Sequence, residues 1–303
     1  MATTGKKTIL AALVANVGIA IAKFIGFAIT KSSTMLAEGI HSSADSANQL
    51  LLLLGTKRAK RNPNKRHPFG YGRERYFWSF VVALILFSLG SLFAIYEGIE
   101  KIRHPHPLEN ASWAIGILIF GIFIESFSFR TAIVEARTIK GGASWSKFVI
   151  RSKQPEIPVV LLEDAGALFG MVIALAAISL VKITGEPLWD GIGTLSIGIL
   201  LGLIAAVLAR EMHSLLIGES ANEKDRTKIE ELIQDCKGIS QVIEIRTQHL
   251  GPEEILIGAR VVFDESLQAK EIAVIINDLE ETINTEVKDA GPIFIEPEIL
   301  DSN

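Results

Sequence analysis

Three ionisable residues, Glu38, His41 and Asp45, stand close together in an otherwise apolar stretch of the chain. On a helix, spacings of three, four and seven residues place side chains on one face, and neighbours have Cβ atoms roughly 5–6 Å apart. Imidazole nitrogen and carboxylate oxygen are both ligands of Zn²⁺, with bond lengths of about 2.0–2.2 Å. The pattern therefore favours a metal site, or else a His–Asp hydrogen bond that only satisfies two buried groups.

A second apolar stretch contains two adjacent acids, Glu163 and Asp164. Adjacent side chains point about 100° apart around a helix, so Glu163 and Asp164 point in different directions, and we favour Asp164 as the ligand. In antiparallel helices Asp164 would lie within about one turn of the level of Asp45. We predict that His41, Asp45 and Asp164 are metal ligands, and that Glu163 is a proton or metal relay or else faces water or a neighbouring helix.

Two other acids in apolar stretches, Glu38 and Glu125, are further candidates for a proton or metal relay. Ionisable residues are costly inside a membrane, and those that are kept there are commonly functional. For Glu125 an alternative is an interhelical hydrogen bond or an ion pair that involves Arg130. Lys23 is expected to extend its amine to the membrane surface, as long basic side chains near helix ends commonly do.

The elements that must position these residues are predicted to be membrane-spanning helices, because an apolar run of about 20 residues crosses a bilayer as a helix. Lys and Arg concentrate in the loops that follow the second and fourth runs, and the positive-inside rule then places both termini in the cytoplasm. The six predicted spans cover residues 8–30, 34–56, 77–99, 112–134, 157–181 and 190–210.

The charge distribution predicts two domains, a transmembrane domain over residues 1–212 and a cytoplasmic domain over 213–303. From residue 219 onward the chain has 20 acidic and 8 basic residues, a net charge of −12, whereas the whole chain carries −4. This composition excludes a soluble enzyme, and no glycine-rich nucleotide loop is present. We expect no enzymatic activity, no bound cofactor and no nucleic-acid partner.

The acidic domain shows the order α-β-β-α-β. Apolar residues recur every three or four positions in two segments, which predicts helices at 223–237 and 267–286. Strands are predicted at 242–248, 255–263 and 293–295, with a turn at Gly251-Pro252. A domain of this size has a modest core, which favours dimerisation.

Several of these features together resemble the cation diffusion facilitator family of divalent-metal transporters. They are the HSSAD segment at 41–45, the HPFGYGRER segment at 67–75, the six spans and the order of elements in the tail. The resemblance covers nearly the whole chain. It is strongest to the branch that includes an animal mitochondrial zinc transporter, through EDAGALFG at 163–170 and IRTQHLGPEE at 245–254.

The resemblance implies a membrane all-α six-helix bundle with a C-terminal ferredoxin-like α+β domain, assembled as a homodimer in the bilayer. In this family the second and fifth spans each usually supply two ligands four residues apart. His41 and Asp45 match the first pair and Asp164 matches one position of the second. The remaining position falls on Val160, which cannot ligate a metal.

The function implied is export of a divalent cation, Zn²⁺ first, from the cytoplasm across the cell (inner) membrane in exchange for protons, by alternating access. Because one expected ligand is missing, Mn²⁺, Fe²⁺ or Co²⁺ is an alternative substrate; oxygen-rich sites favour harder ions. A different class of function is a membrane-anchored sensor or scaffold. That function would be insensitive to substitution of Asp45 and Asp164.

Overall fold

The computed structural model describes residues 17–108 and 110–299. These residues form two compact units. One unit, here called the membrane unit, contains residues 17–56 and 77–212, and the other, the acidic unit, contains 57–76 and 213–299. The segment 57–76, a loop with the helix ends that flank it, therefore groups with the C-terminal part of the chain, although it is far from it in sequence.

Helices make up the membrane unit. Most of them extend three to seven residues beyond the predicted apolar runs, because polar and basic residues continue each helix past its apolar part. The described helices before residue 218 are α1 (Val17–Thr30), α2 (Ser33–Ala59), α3 (Glu74–Arg103), α4 (Ala111–Lys140), α5 (Trp145–Arg151), α6 (Glu156–Thr184) and α7 (Leu188–Ile217).

Within the described residues, α3, α4, α6 and α7 are long and apolar enough to cross a membrane. Helix α2 has 27 residues, which is long enough, but its buried polar side chains lower its hydropathy. The predicted first span begins at residue 8, so its first half lies outside the described residues. Four described helices are thus long and apolar enough to span a membrane, and the six-span count stays a prediction.

Glycines let the backbones of α3 and α7 approach closely. A Cβ added at Gly98 would lie 2.6 Å from the backbone N of Leu195, and one added at Gly198 would lie 2.7 Å from that of Ile95. Membrane helices lack a hydrophobic driving force for association, so small residues at the contact increase van der Waals packing between them. The two helices therefore pack with their backbones almost in contact.

The middle of α3 is π-helical between Leu86 and Leu92, a feature that the sequence pattern did not predict. The hydroxyl of Ser91 in this segment donates a 2.8 Å hydrogen bond to the carbonyl oxygen of Gly198. A Cβ at Gly90 would lie 4.0 Å from Nδ1 of His41. The irregular segment, of a kind that is frequent at functional sites, therefore lies beside a predicted ligand.

The short helix α5 was also not predicted and interrupts what reads as a basic loop. The side chain of Ser144 caps its N-terminus by accepting a hydrogen bond from the backbone N of Lys147. Phe148 is buried and packs with Ala136 of α4 and Leu161 of α6. One apolar side chain thus anchors a helix of only two turns.

The acidic unit has the predicted order of elements. Strands β1 and β2 are antiparallel, β2 and β3 are parallel, and β2 lies in the centre of the sheet. The elements are α8 (Glu223–Gln234), β1 (Ile239–Gly251), β2 (Glu254–Phe263), α9 (Ala269–Glu286) and β3 (Ala290–Pro297).

The core of this unit follows from side-chain periodicity. On β2 alternate residues are buried, from Ile255 to Phe263, as expected for a strand with one covered face. Ile229 and Ile233 of α8 and Ile283 of α9 pack in the same core. The sheet is therefore covered by helices through a single apolar cluster.

Within the acidic unit the loop 57–76 packs tightly on the turn between β1 and β2. A Cβ at Gly72 would lie 2.8 Å from the carbonyl oxygen of Leu250, and one at Gly251 would lie 2.8 Å from the Cα of Gly72. Arg75 donates a 3.3 Å hydrogen bond to Glu253 beside this contact. Only glycine fits at the two facing positions without displacing backbone.

Candidate metal centre

A small cavity inside the membrane unit brings four predicted residues together. Its lining includes Asp45 of α2, Glu125 of α4, and Glu163 and Asp164 of α6. Its volume is about 10 Å³, close to the lower limit for one water molecule. Carboxyl groups from three helices therefore line one cavity that is about the size of a water molecule.

His41 does not line this cavity but lies one turn away on the same helix as Asp45. Its Nδ1 atom is 3.6 Å from Oδ1 of Asp45, which is too long for a hydrogen bond. The His41 side chain is completely buried, and Asp45 is 15% exposed. The predicted one-face arrangement of this pair is present, but a His–Asp hydrogen bond is not made.

The two acids of α6 both face the cavity, and each has one polar partner. Asp164 accepts a 2.9 Å hydrogen bond from the hydroxyl of Ser128 on α4. Glu163 accepts a 2.6 Å hydrogen bond from the side-chain amide of Asn48 on α2. Glu163 thus lines the cavity and also contacts a neighbouring helix, and its role as a proton or metal relay stays a prediction.

Glu38 lies outside the cavity and is held by a buried lysine. Lys23 of α1 donates to Glu38 at 2.8 Å and to the hydroxyl of Ser42 at 2.7 Å, and Ser42 lines the cavity. Lys23 is 1% exposed. The expectation that its amine reaches the membrane surface is wrong, because two acceptors within the bundle bind the ammonium group instead.

Glu125 lines the cavity and is nearly buried, whereas Arg130 is exposed. Five residues separate the two on α4, which places their side chains on different sides of the helix. Glu125 therefore belongs with the acids of the cavity.

Several polar atoms around this region are buried and have no hydrogen-bond partner among the described residues. They include both ring nitrogens of His41 and Oδ1 of Asp45. Buried polar side-chain atoms are nearly always paired in folded proteins, because leaving one unpaired costs roughly 1–3 kcal/mol. Lone pairs on an imidazole and a neighbouring carboxylate, left unused in the interior, are suited to a cation.

The carboxyl groups also repel one another when ionised. Four acids around one cavity in a medium of low dielectric constant need a compensating charge, which a divalent cation or bound protons would supply. The neutral residue Val160 forms part of the cavity wall. The family resemblance implies a fourth ligand at this position. The position thus lies at the cavity, but its valine side chain has no donor atom.

The predicted ligands are close together, but their donor atoms do not converge on one position. Among residues 17–108 and 110–299, no three His, Cys, Asp or Glu side chains converge tightly enough to hold a metal ion. His41 is turned towards Asp45 and the π-helical segment, while Asp164 approaches Asp45 from the cavity side.

Sequence reasoning missed the uncharged and basic residues that hold the acids in place. Ser42, Asn48 and Ser128 each make a hydrogen bond to a charged group near the cavity. Asn48 lies three residues after Asp45 and seven after His41, so the same helical spacing that identified the acids would have included it. Ser128 carries no comparable signal, because serine is common in membrane helices.

Comparison with known proteins adds three relatives. The family profile of the cation efflux transmembrane domain matches residues 9–217. The mitochondrial proton-coupled zinc antiporter SLC30A9 of Xenopus laevis is 31% identical over 288 residues, which are 92% of this chain and 52% of that protein. Metal tolerance protein C4 of Arabidopsis thaliana is 30% identical over 86% of this chain and 57% of its own length.

The zinc transporter ZitB of Pectobacterium atrosepticum is 27% identical over 80% of this chain and 71% of its own length. The chain therefore spans between half and three fifths of the SLC30A9 relative and of metal tolerance protein C4.

Proposed function

The chain belongs to the cation diffusion facilitator family of multi-pass membrane proteins, and on that premise we propose that it exchanges Zn²⁺ for protons across a membrane. This family consists of metal-cation transporters and not of enzymes. Relatives named as a proton-coupled zinc antiporter and as a zinc transporter support both the ion and the coupling.

The observation that carries the proposal is the buried imidazole of His41 beside Asp45, which itself shares a cavity with Asp164; neither ring nitrogen has a hydrogen-bond partner in the described part of the chain. An imidazole and two carboxylates are a ligand set that Zn²⁺ accepts, and three protein ligands with an open position are typical of sites that exchange what they bind. His41, Asp45 and Asp164 are the proposed ligands. Because these donors do not converge in the described part of the chain, binding requires that their side chains move towards one another.

Proton coupling follows from competition for the same lone pairs. A metal ligand must be deprotonated, so binding of the cation releases protons and protonation of the site releases the cation. Glu163 and Glu125 line the same cavity and are the proposed proton carriers. Glu38 is a third candidate, because Lys23 binds both Glu38 and Ser42, and Ser42 lines the cavity.

The test is zinc flux into vesicles that contain purified protein and a zinc-sensitive dye. Asp45→Asn and Asp164→Asn should each lower the flux by at least the 10–100-fold that loss of an outer-shell partner of a metal costs. The matched control is Glu135→Gln, an exposed acid of α4 away from the cavity. Wild-type flux in both ligand variants, with folding verified by thermal unfolding, would refute the ligand assignment.

Coupling is tested in the same vesicles with a pH-sensitive dye. Zinc uptake should move protons in the opposite direction, and an imposed pH gradient should change the zinc flux. A zinc flux that ignores the gradient would contradict exchange while leaving transport itself intact.

A second candidate substrate is a harder divalent ion such as Mn²⁺, with Fe²⁺ and Co²⁺ as related choices. The cavity is lined by four carboxyl groups, and oxygen ligands favour such ions. Competition among metals for flux decides between them. If His41 sets the preference, Val160→His should sharpen selectivity for zinc, because it adds a second imidazole at the cavity wall.

We propose six membrane spans, both termini in the cytoplasm, a location in the cell (inner) membrane, and a ferredoxin-like C-terminal domain that forms a homodimer. The basic loops support this orientation. A mitochondrial location is stated only for the SLC30A9 relative. Labelling of Lys270→Cys in a Cys236→Ser background with a membrane-impermeant reagent tests the orientation, and a protein mass twice 33.0 kDa in detergent tests the dimer.

A further inference from the structure

A large apolar groove opens on the membrane unit, lined on α6 by residues of the same turns that line the acidic cavity. Its volume is about 660 Å³, and side chains of α4, α5, α6 and α7 line it. Nearly all of these side chains are aliphatic or aromatic; the two polar exceptions are Arg137 and Ser146. Nothing in the proposed transport cycle uses this groove.

Along α4 the lining of the groove changes from a charged residue near the end of the helix to apolar residues nearer its middle. Phe129, Ile133 and Arg137 line it at intervals of four residues, so they form one stripe on the helix. Arg137 lies three residues before the end of the helix at Lys140, and Phe129 lies about 12 Å deeper, at 1.5 Å per residue. A cationic group at the helix end and an apolar channel that runs inward match the two parts of a phospholipid.

The mouth of the groove has the character of a membrane interface. Trp145 of α5 lines it, and the amine of Lys140 lies 5.2 Å from the centre of the Trp145 ring. Tryptophan prefers the level of the lipid headgroups, and basic pockets between helices on the cytoplasmic side bind anionic headgroups. Lys147 and Arg151 on the same short helix add positive charge nearby.

The guanidinium of Arg137 is available for a ligand. The side chain is exposed, and in the described part of the chain it makes no hydrogen bond or salt bridge with protein. Guanidinium groups bind phosphate through two parallel hydrogen bonds, which makes arginine the residue suited to this recognition.

We propose that the groove binds one acyl chain of an anionic glycerophospholipid of the surrounding leaflet, with the lipid phosphate paired to Arg137. The chain lies against Ile133 and Phe129, and α5 covers the glycerol region at the mouth. Leu161 and Ala165 of α6 also line the groove, so the lipid packs on the helical turn that carries Asp164. The bound lipid braces α6 against α4 and α7.

Native mass spectrometry of the full chain purified in detergent tests the proposal. Phosphatidylglycerol, phosphatidylcholine with the same acyl chains, and oleate are the three probes. The wild type should retain phosphatidylglycerol in preference to the other two. Arg137→Gln should lower the retention of phosphatidylglycerol about fivefold, the effect of about 1 kcal/mol for one basic residue at an anionic membrane surface.

Three further variants separate the contribution of the lipid headgroup from that of the acyl chain. Arg130→Gln, on the same helix but outside the groove, should leave retention unchanged, and Arg137→Lys should keep the preference for the anionic lipid. Leu203→Trp partly fills the groove and should lower retention of both phospholipids.

Three results would overturn the proposal. Equal retention of the two phospholipids by the wild type indicates annular lipid only. An Arg137→Gln variant that is folded by circular dichroism and binds like wild type removes the phosphate contact. Oleate bound as tightly as phosphatidylglycerol assigns the groove to a free carboxylate. Zinc flux is not part of the readout, so the lipid site and the transport function fail independently.

Discussion

Asp190 offers a sharp test of how the membrane unit holds α2 in place. It is completely buried near the start of α7, and its carboxylate accepts five hydrogen bonds from the start of α2. The donors are Ser32 Oγ at 2.6 Å, Ser33 N and Oγ at 2.8 and 3.0 Å, and Thr34 N and Oγ1 at 3.3 and 2.7 Å. The ammonium group of Lys101 is 3.8 Å away.

The expected loss can be worked out from these bonds. Hydrogen bonds between membrane helices contribute about 0.6 kcal/mol each on average, so Asp190→Ala should cost about 3 kcal/mol. Asp190→Asn can keep the three bonds to Oδ1 and loses the two to Oδ2, which gives about 1 kcal/mol. At roughly 2–4 °C per kcal/mol, the two variants should melt about 6–12 °C and 2–4 °C below the wild type.

Thermal unfolding in detergent, followed by near-ultraviolet circular dichroism, measures the two shifts. The matched control is Glu186→Ala, which removes an exposed acid a few residues earlier in the chain and should not change the melting temperature. The reasoning fails if Asp190→Ala melts with the control. It also fails if the asparagine variant is as unstable as the alanine variant, because the two oxygens would then not act separately.

Three further predictions follow from close packing and burial. Gly198→Ala should destabilise the membrane unit because its Cβ would overlap the backbone of α3, whereas Gly116→Ala, with no atom within 4 Å, should be neutral or stabilising in the same melting assay. Lys23→Met should lower the free energy of unfolding by about 3–5 kcal/mol, because it leaves the buried carboxylate of Glu38 unpaired. The double variant Lys23→Met with Glu38→Gln should recover most of this stability, and no recovery would contradict an ion pair between the two residues. Burial raises the pKa of the Cys236 thiol, so less thiolate is present near neutral pH and maleimide should react more slowly than with an exposed cysteine; equal rates would contradict this.

The sequence predicts the acidic unit well because its local signals agree with one another. Alternate burial along β2 and the stripe on α9 are direct consequences of strand and helix periods. The capping box of Gln268 and Glu271 marks the start of α9 within two residues of its predicted beginning. The predicted five elements therefore all appear, with ends that differ by up to three residues.

The membrane unit is less predictable, because a uniformly apolar run has no sequence pattern that marks where its helix becomes irregular. The π-helical segment of α3 depends on packing against α7, and α5 depends on one buried side chain, Phe148. From the sequence alone Lys23 is expected to reach the membrane surface, because its contacts with Glu38 and Ser42 are seen only in the folded structure. Each of these features is decided by a partner far away in the sequence.

Helix α2 shows why the candidate site was nevertheless detectable. Among the described long helices of the membrane unit it lacks the apolarity of a clear span, because many of its buried residues from Ser33 to Asn48 are polar. Its buried face meets Asp190 at the first turn, Lys23 one turn later, and the acids of α4 and α6 around Asp45. Such a helix is stable in the bundle only while partners satisfy its polar groups.

The same requirement links the structural and the proposed functional roles of α2. At the start of the helix Asp190 satisfies the polar groups with the protein's own atoms, whereas buried polar atoms of His41 and Asp45 have no hydrogen-bond partner among residues 17–108 and 110–299. A ligand that enters and leaves can bind only where the chain has not supplied a permanent partner. This contrast along α2 supports the proposal that a cation binds at His41 and Asp45, whereas Asp190 is a fixed structural contact.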